Sequence, residues 1–130
     1  MLQRDYLMRM IERAVAALAR ALGLRQAGEL ELALEQIGEA YDAVLKFDRE
    51  MLRTLDTPTL ITMLGEPQLT RMVGRTSALE GELREQAGQQ RSALQCFRRA
   101  LELYGAVGVG DDPEDRRVAA RLAARFRQSG

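Results

Sequence analysis

Apolar residues recur along most of this chain at helical rather than strand spacing. Leu7, Ile11, Ala14, Val15, Leu18 and Leu22 fall on one stripe, and Tyr6, Met10, Ala17, Ala21 and Leu24 on a second beside it. Together they predict a helix from about Gln3 to Arg25, apolar over more than half its circumference and packed on two sides. Arg9, Glu12, Arg13 and Arg20 make up a narrow polar strip. After Gly28 the spacing predicts a second helix. Its buried face is Leu30, Ala33, Leu34, Ile37, Ala40, Tyr41, Val44 and Leu45, and Glu31, Glu35, Glu39 and Asp42 form an outward acidic stripe. So short a link makes the two helices antiparallel and touching.

Further along, Thr57-Pro58 reads as a helix cap followed by proline at the first helical position. Leu60, Ile61, Met63 and Leu64 then give a short apolar helix closed by Gly65, and Pro67 starts the next. In that helix Leu69, Met72, Val73, Thr76, Leu79 and Leu83 face inward. Beyond Gly88, the residues Ala93, Leu94, Phe97, Ala100, Leu101 and Tyr104 form another packing face. Gly105, Gly108 and Gly110 mark a flexible link. Asp112-Pro113-Glu114-Asp115 starts a final helix with acids near the positive end of its dipole. Val118, Leu122 and Phe126 lie on one side of it, and Arg116, Arg117, Arg121, Arg125 and Arg127 make the rest basic.

The pattern contains an internal repeat. Gly28, Ala33, Ile37 and Ala40 recur sixty residues later as Gly88, Ala93, Phe97 and Ala100, and Gln26-Ala27-Gly28 matches Gln86-Ala87-Gly88. Small residues at Ala33 and Ala40 let paired helices approach closely. Over roughly residues 11–47 and 71–104 the two units resemble tetratricopeptide repeats. The closing proline of such units is missing, as is the aromatic near the start of each first helix. A regular unit is ~34 residues, so the longer interval implies a lengthened second helix and an insert. The opening Asp5-Tyr6-Leu7-Met8-Arg9-Met10-Ile11-Glu12 also resembles the start of a bacterial family of small helical proteins. That likeness supports the fold and is silent on function.

The expected fold is all-α: tetratricopeptide-like antiparallel helix pairs, an inserted short helix and a C-terminal capping helix, about six helices in all. The expected domain is 1–130. It divides into a first pair at about 3–52, an insert at about 56–65, a second pair at about 67–104 and a terminal helix at about 113–127. In tetratricopeptide proteins the first helix of each pair lines a groove that grips a peptide. The resemblance therefore implies a partner-binding groove of Val15, Leu18, Leu22 and Arg25 with Arg75, Ala78, Glu82 and Glu85. The chain has no asparagine, and its one lysine, Lys46, lies elsewhere, so a clamp for a peptide carboxylate is not expected. The apolar half of the groove suits an amphipathic helix, the insert or a second copy of the chain.

Composition narrows the function. Apolar residues make up 46% of the chain and charged residues 29%, the values of an ordinary globular protein. Nineteen basic residues balance nineteen acidic ones, which argues against general nucleic-acid binding and removes charge repulsion between copies. No apolar run approaches a membrane span and the start is unlike a signal peptide, so a cytoplasmic protein is expected. Without histidine the commonest general base and metal ligand are absent. The single Cys96 reads as a buried structural thiol. Asp111, Asp112, Glu114 and Asp115 are explained by helix capping rather than by a metal. No enzyme, cofactor or metal is expected.

The leading reading is a protein-interaction or scaffold module, with a homodimer favoured because two helix pairs are few for a solenoid. The alternative is a regulatory protein that contacts nucleic acid through Arg117, Arg121 and Arg125, which share one helix face. A third possibility is that this arginine stripe docks on the acidic Glu31–Asp42 helix, within the chain or across a dimer.

Overall fold

The computed structural model describes residues 3–129, and the side chains of residues 3–127. The outermost residues of the expected 1–130 span lie outside that range. Six α-helices follow one another: α1 (Arg4–Gln26), α2 (Leu30–Val44), α3 (Thr57–Leu64), α4 (Pro67–Gln86), α5 (Gln90–Val107) and α6 (Pro113–Ser129). A 3-10 turn, Arg49–Arg53, precedes α3, and the described residues contain no strand. The protein is all-α, with the expected number of helices.

The two glycine turns have the same construction. Gly28 and Gly88 take φ of 79° and 82°, where a side chain is strained. In the first turn Gly28 N donates to Arg25 O and Glu29 N to Leu24 O. Sixty residues on, Gly88 N donates to Glu85 O and Gln89 N to Arg84 O. This crossed pair of bonds satisfies carbonyls that the helix end leaves open, and it reverses the chain at once. α1 therefore packs most extensively on α2, and α4 on α5.

The stretch between the pairs departs from expectation. The second helix is not lengthened but stops at Val44, where Leu45 turns extended. Asp48 then accepts a hydrogen bond from Glu50 N at 2.9 Å, a local turn that competes with continued helix. Asp56, not Thr57, caps α3, by accepting from Thr59 N at 2.8 Å, and Pro58 sits inside the first turn. Leu52, Leu60 and Leu64 are buried, so the insert packs against the pairs rather than hanging free.

One apolar cluster joins α1, α2, the insert, α4 and Leu103 of α5. A second gathers Ala78, Ala93, Phe97, Ala100 and Tyr104 with Val118 and Leu122 of α6. Leu94 and Leu101, expected inside, are 42% and 36% exposed, while Leu103 is fully buried. Each lies one residue past Ala93 and Ala100, about 100° further round the helix and away from α4. Gly105 lies within α5, so the link to α6 begins only at Gly108.

The second cluster is tightest where α4 meets α5. A Cβ on Gly81 would come within 2.5 Å of the Phe97 ring. Arg125 of α6 lies over the same ring, its guanidinium carbon 4.1 Å from the ring centre. Gly81→Ala should gain about 1 kcal/mol of helix propensity, yet forcing Phe97 aside should cost about 1–3 kcal/mol. Thermal unfolding should show a net loss of stability; a rise would mean that the ring shifts freely.

Candidate functional site

The expected groove divides into a covered half and an open half. On α4 the relevant face is Arg75, Ala78, Glu82 and Glu85, and α6 lies across it. Arg75, 14% exposed, reaches Asp115 at 3.2 Å and Asp112 at 3.3 Å. Ala78 is buried in the second apolar cluster. Glu82 faces Arg121 at 3.8 Å, and Glu85 accepts from Arg125 at 2.8 Å. The second half of the groove is therefore not an open contact surface. Its charges are used to hold the chain's own last helix.

Asp115 is the centre of that attachment. It is 4% exposed and also accepts from Tyr104 Oη at 2.6 Å. Burial, and then the hydrogen bond to Asp115, push the Tyr104 hydroxyl well above its ordinary pKa. Asp112 is held below the ordinary carboxylate range: partial burial opposes the shift, but the Glu114 N–H and Arg75 outweigh it. Helix capping thus accounts for Asp112, whereas Asp115 is a buried tie between α4, α5 and α6. Sequence reasoning missed this because the partners lie forty and eleven residues away.

The repeat counterpart of the covered face is Val15, Leu18, Leu22 and Arg25 on α1. Here closure is partial. Arg25 extends to α4, donating to Gln86 and facing Glu82 at 3.7 Å. Leu18 is 6% exposed and belongs to the main core, so it is no groove contact. Val15 and Leu22 remain 41% and 45% exposed, and Met8 continues their line at 44%. Met8, Val15 and Leu22 are spaced seven residues apart, with half-buried Ile11 between them, so they form one apolar seam along α1. Helix α1 packs on α2 and, less extensively, on α4, and leaves this apolar line uncovered. Tyr6, expected inside, is 50% exposed.

The arginine stripe on α6 meets acids within the chain, though not the ones expected. Arg117 pairs with Glu114 of its own helix at 2.8 Å, while Arg121 and Arg125 face α4. On the acidic stripe of α2, Glu39 faces Arg20 and Asp42 faces Arg49. The reason is reach, because α6 packs on α4 and α5.

No family model, curated protein or solved structure matches this chain. Among the described residues no helix is long and apolar enough to cross a membrane.

A buried polar network lies between α2, α4 and α5. Tyr41 Oη donates to Glu80 at 2.7 Å and lies 3.0 Å from Ser77 Oγ, and Arg84 Nε donates to the other Glu80 oxygen at 2.7 Å. Cys96 is half-buried beside it rather than fully enclosed. Burial, and then the Glu80 carboxylate, push its thiol up to about 12, so it stays protonated and a poor nucleophile near neutral pH. Nothing local in the sequence marks this network, because Tyr41 stands on α2 and Ser77, Glu80 and Arg84 on α4.

Proposed function

We propose that this protein is an interaction or scaffold module of the cytoplasm, with α1 as its contact helix. The observation that carries the reading is the seam of Met8, Val15 and Leu22, three large apolar side chains left more than two-fifths exposed in line. Such a line suits the apolar face of an amphipathic helix. A second copy of this chain is the first candidate, since its own α1 offers the same face and zero net charge sets no long-range repulsion. The matching turns at Gly28 and Gly88 support the tetratricopeptide-like reading. The nucleic-acid alternative is less well supported, because a phosphate would have to displace carboxylates from Arg117, Arg121 and Arg125.

Light scattering across a range of concentrations tests the proposal. The wild type should run as a dimer, and Val15→Glu with Leu22→Glu as a monomer. Both side chains are already well exposed, so each change should move folding stability by only about 0.5 kcal/mol. A wild type that stays monomeric at high concentration removes the self-association part. A double variant that still dimerises removes the seam.

A further inference from the structure

A cleft of about 770 Å³ opens between α2, the 3-10 turn, α4 and α5, and no residue of α1 or α6 lines it. That volume falls within the range of small-molecule sites, about 300–1,000 Å³. Leu34, Ile37 and Leu52 give it an apolar wall. Its charge is unbalanced: Arg49, Arg53, Arg84, Arg98 and Arg99 line it against Glu50, Glu80 and Glu102. Two of those acids are already engaged. Glu80 accepts from Tyr41 and Arg84, and Glu102 accepts from the Thr57 hydroxyl at 2.6 Å.

The arginines have donors to spare. Arg49 pairs with Asp42, and Arg84 with Glu80 and Gln89. Arg53 and Arg98 form no hydrogen bond or ion pair with the described residues. Arg99 Nη2 donates to the carbonyl oxygens of Leu52 and Leu55 and so ties the turn to α5. Its Nη1, however, is buried without an acceptor among the described residues. A charged donor buried unpaired is costly, so an anionic oxygen that reaches it is favoured.

The edge of the cleft at α2 has a local feature of its own. Gly38 stands in the middle of α2, where glycine is a poor helix residue. A Cβ there would collide with the Arg49 guanidinium, which lies across the helix at this point. The missing side chain leaves room for that guanidinium to lie across α2, where it pairs with Asp42 at the edge of the cleft. The segment between the two helix pairs thus supplies Arg49, Glu50, Leu52 and Arg53 to the cleft.

We propose that this cleft binds a small organic anion, its charged oxygens on Arg53, Arg98 and Arg99 and its apolar body against Leu34, Ile37 and Leu52. A carboxylate or a phosphate would serve equally as the charged group. The Glu80 carboxylate repels such a group from the floor, which places it toward the side formed by the turn and Arg98. This site is separate from the α1 seam and does not depend on it.

Two dyes with the same rings test the idea on the full chain: anilinonaphthalene sulfonate, and N-phenylnaphthylamine, which lacks the sulfonate. Fluorescence titration should show saturable binding of the sulfonate, tighter than the neutral dye by about tenfold or more, because charge-assisted bonds to arginine are strong. Arg53→Gln combined with Arg98→Gln should weaken the sulfonate by about tenfold and leave the melting temperature unchanged, since both side chains are exposed. Leu22→Glu should leave the dye affinity as it is. Equal binding of the two dyes overturns the proposal, as does indifference to the arginine substitutions. Loss of binding in Leu22→Glu would place the dye on α1 and overturn it as well.

Discussion

Replacing Leu18 with glutamate should cost at least about 4 kcal/mol and leave little folded protein at 37 °C, because it removes a core side chain and buries an unpaired carboxylate in its place. Leu18 is 6% exposed, whereas Leu22, one turn along the same stripe, is 45% exposed. Leu22→Glu should therefore fold like the wild type. Urea unfolding of the two variants side by side decides the matter. Comparable stabilities would mean that α1 is rotated from the position described, and the seam of Met8, Val15 and Leu22 would lose its basis. The contrast also separates two roles that the sequence alone merges, since both leucines belong to one helical stripe.

Asp115→Ala should destabilise the protein by about 3 kcal/mol, the lower end of the cost of breaking a buried ion pair. The lower end applies because Asp112, 52% exposed, remains as a second partner for Arg75. The substitution strands Arg75 and the Tyr104 hydroxyl together, and the loss should appear first in α6. Trypsin should then cleave after Arg116 and Arg117 well before the rest of the chain is attacked. Tyr104→Phe removes one hydrogen bond only and should cost about 1 kcal/mol. If Asp115→Ala costs no more than Tyr104→Phe, the Arg75 pair adds nothing, and α6 is held by the packing of Val118 and Leu122 and by the Arg121–Glu82 and Arg125–Glu85 pairs.

How much was legible depends on whether the deciding contacts are local. Helix periods, the turn glycines Gly28 and Gly88, the stop at Gly65 and the start at Pro67 follow from neighbours within a few residues. All of them can be read along the chain. The inward face of α4 was readable too: Leu69, Met72, Val73, Thr76, Leu79 and Leu83 are all buried. Errors arose where an apolar stripe was wider than its partner. Tyr6, Leu94 and Leu101 share stripes with core residues yet are exposed, and Leu18, expected in the groove beside Val15 and Leu22, is core. Periodicity reports which residues share a face, not how many helices press on it.

The candidate surfaces show the same division. The apolar character of the α1 face was plain from the sequence, and so was the excess of arginine on α6. That Arg121 and Arg125 settle on Glu82 and Glu85 was not, since side chains forty residues apart meet only once α6 has folded back. The cleft was least visible. Its sole local trace is Gly38, a glycine with no turn to make, and its meaning appears only when Arg49 is seen lying across it.

Taken by itself, the sequence determined the all-α class, the approximate number of helices and the glycine turns between them, because backbone hydrogen bonding and side-chain periodicity act over one or two turns. Only the tertiary structure decided which apolar stripe stays open, which acids hold the arginines and where the chain encloses a cavity. Those outcomes depend on burial and on charges meeting between helices far apart in sequence, and neither exists until the helices have packed.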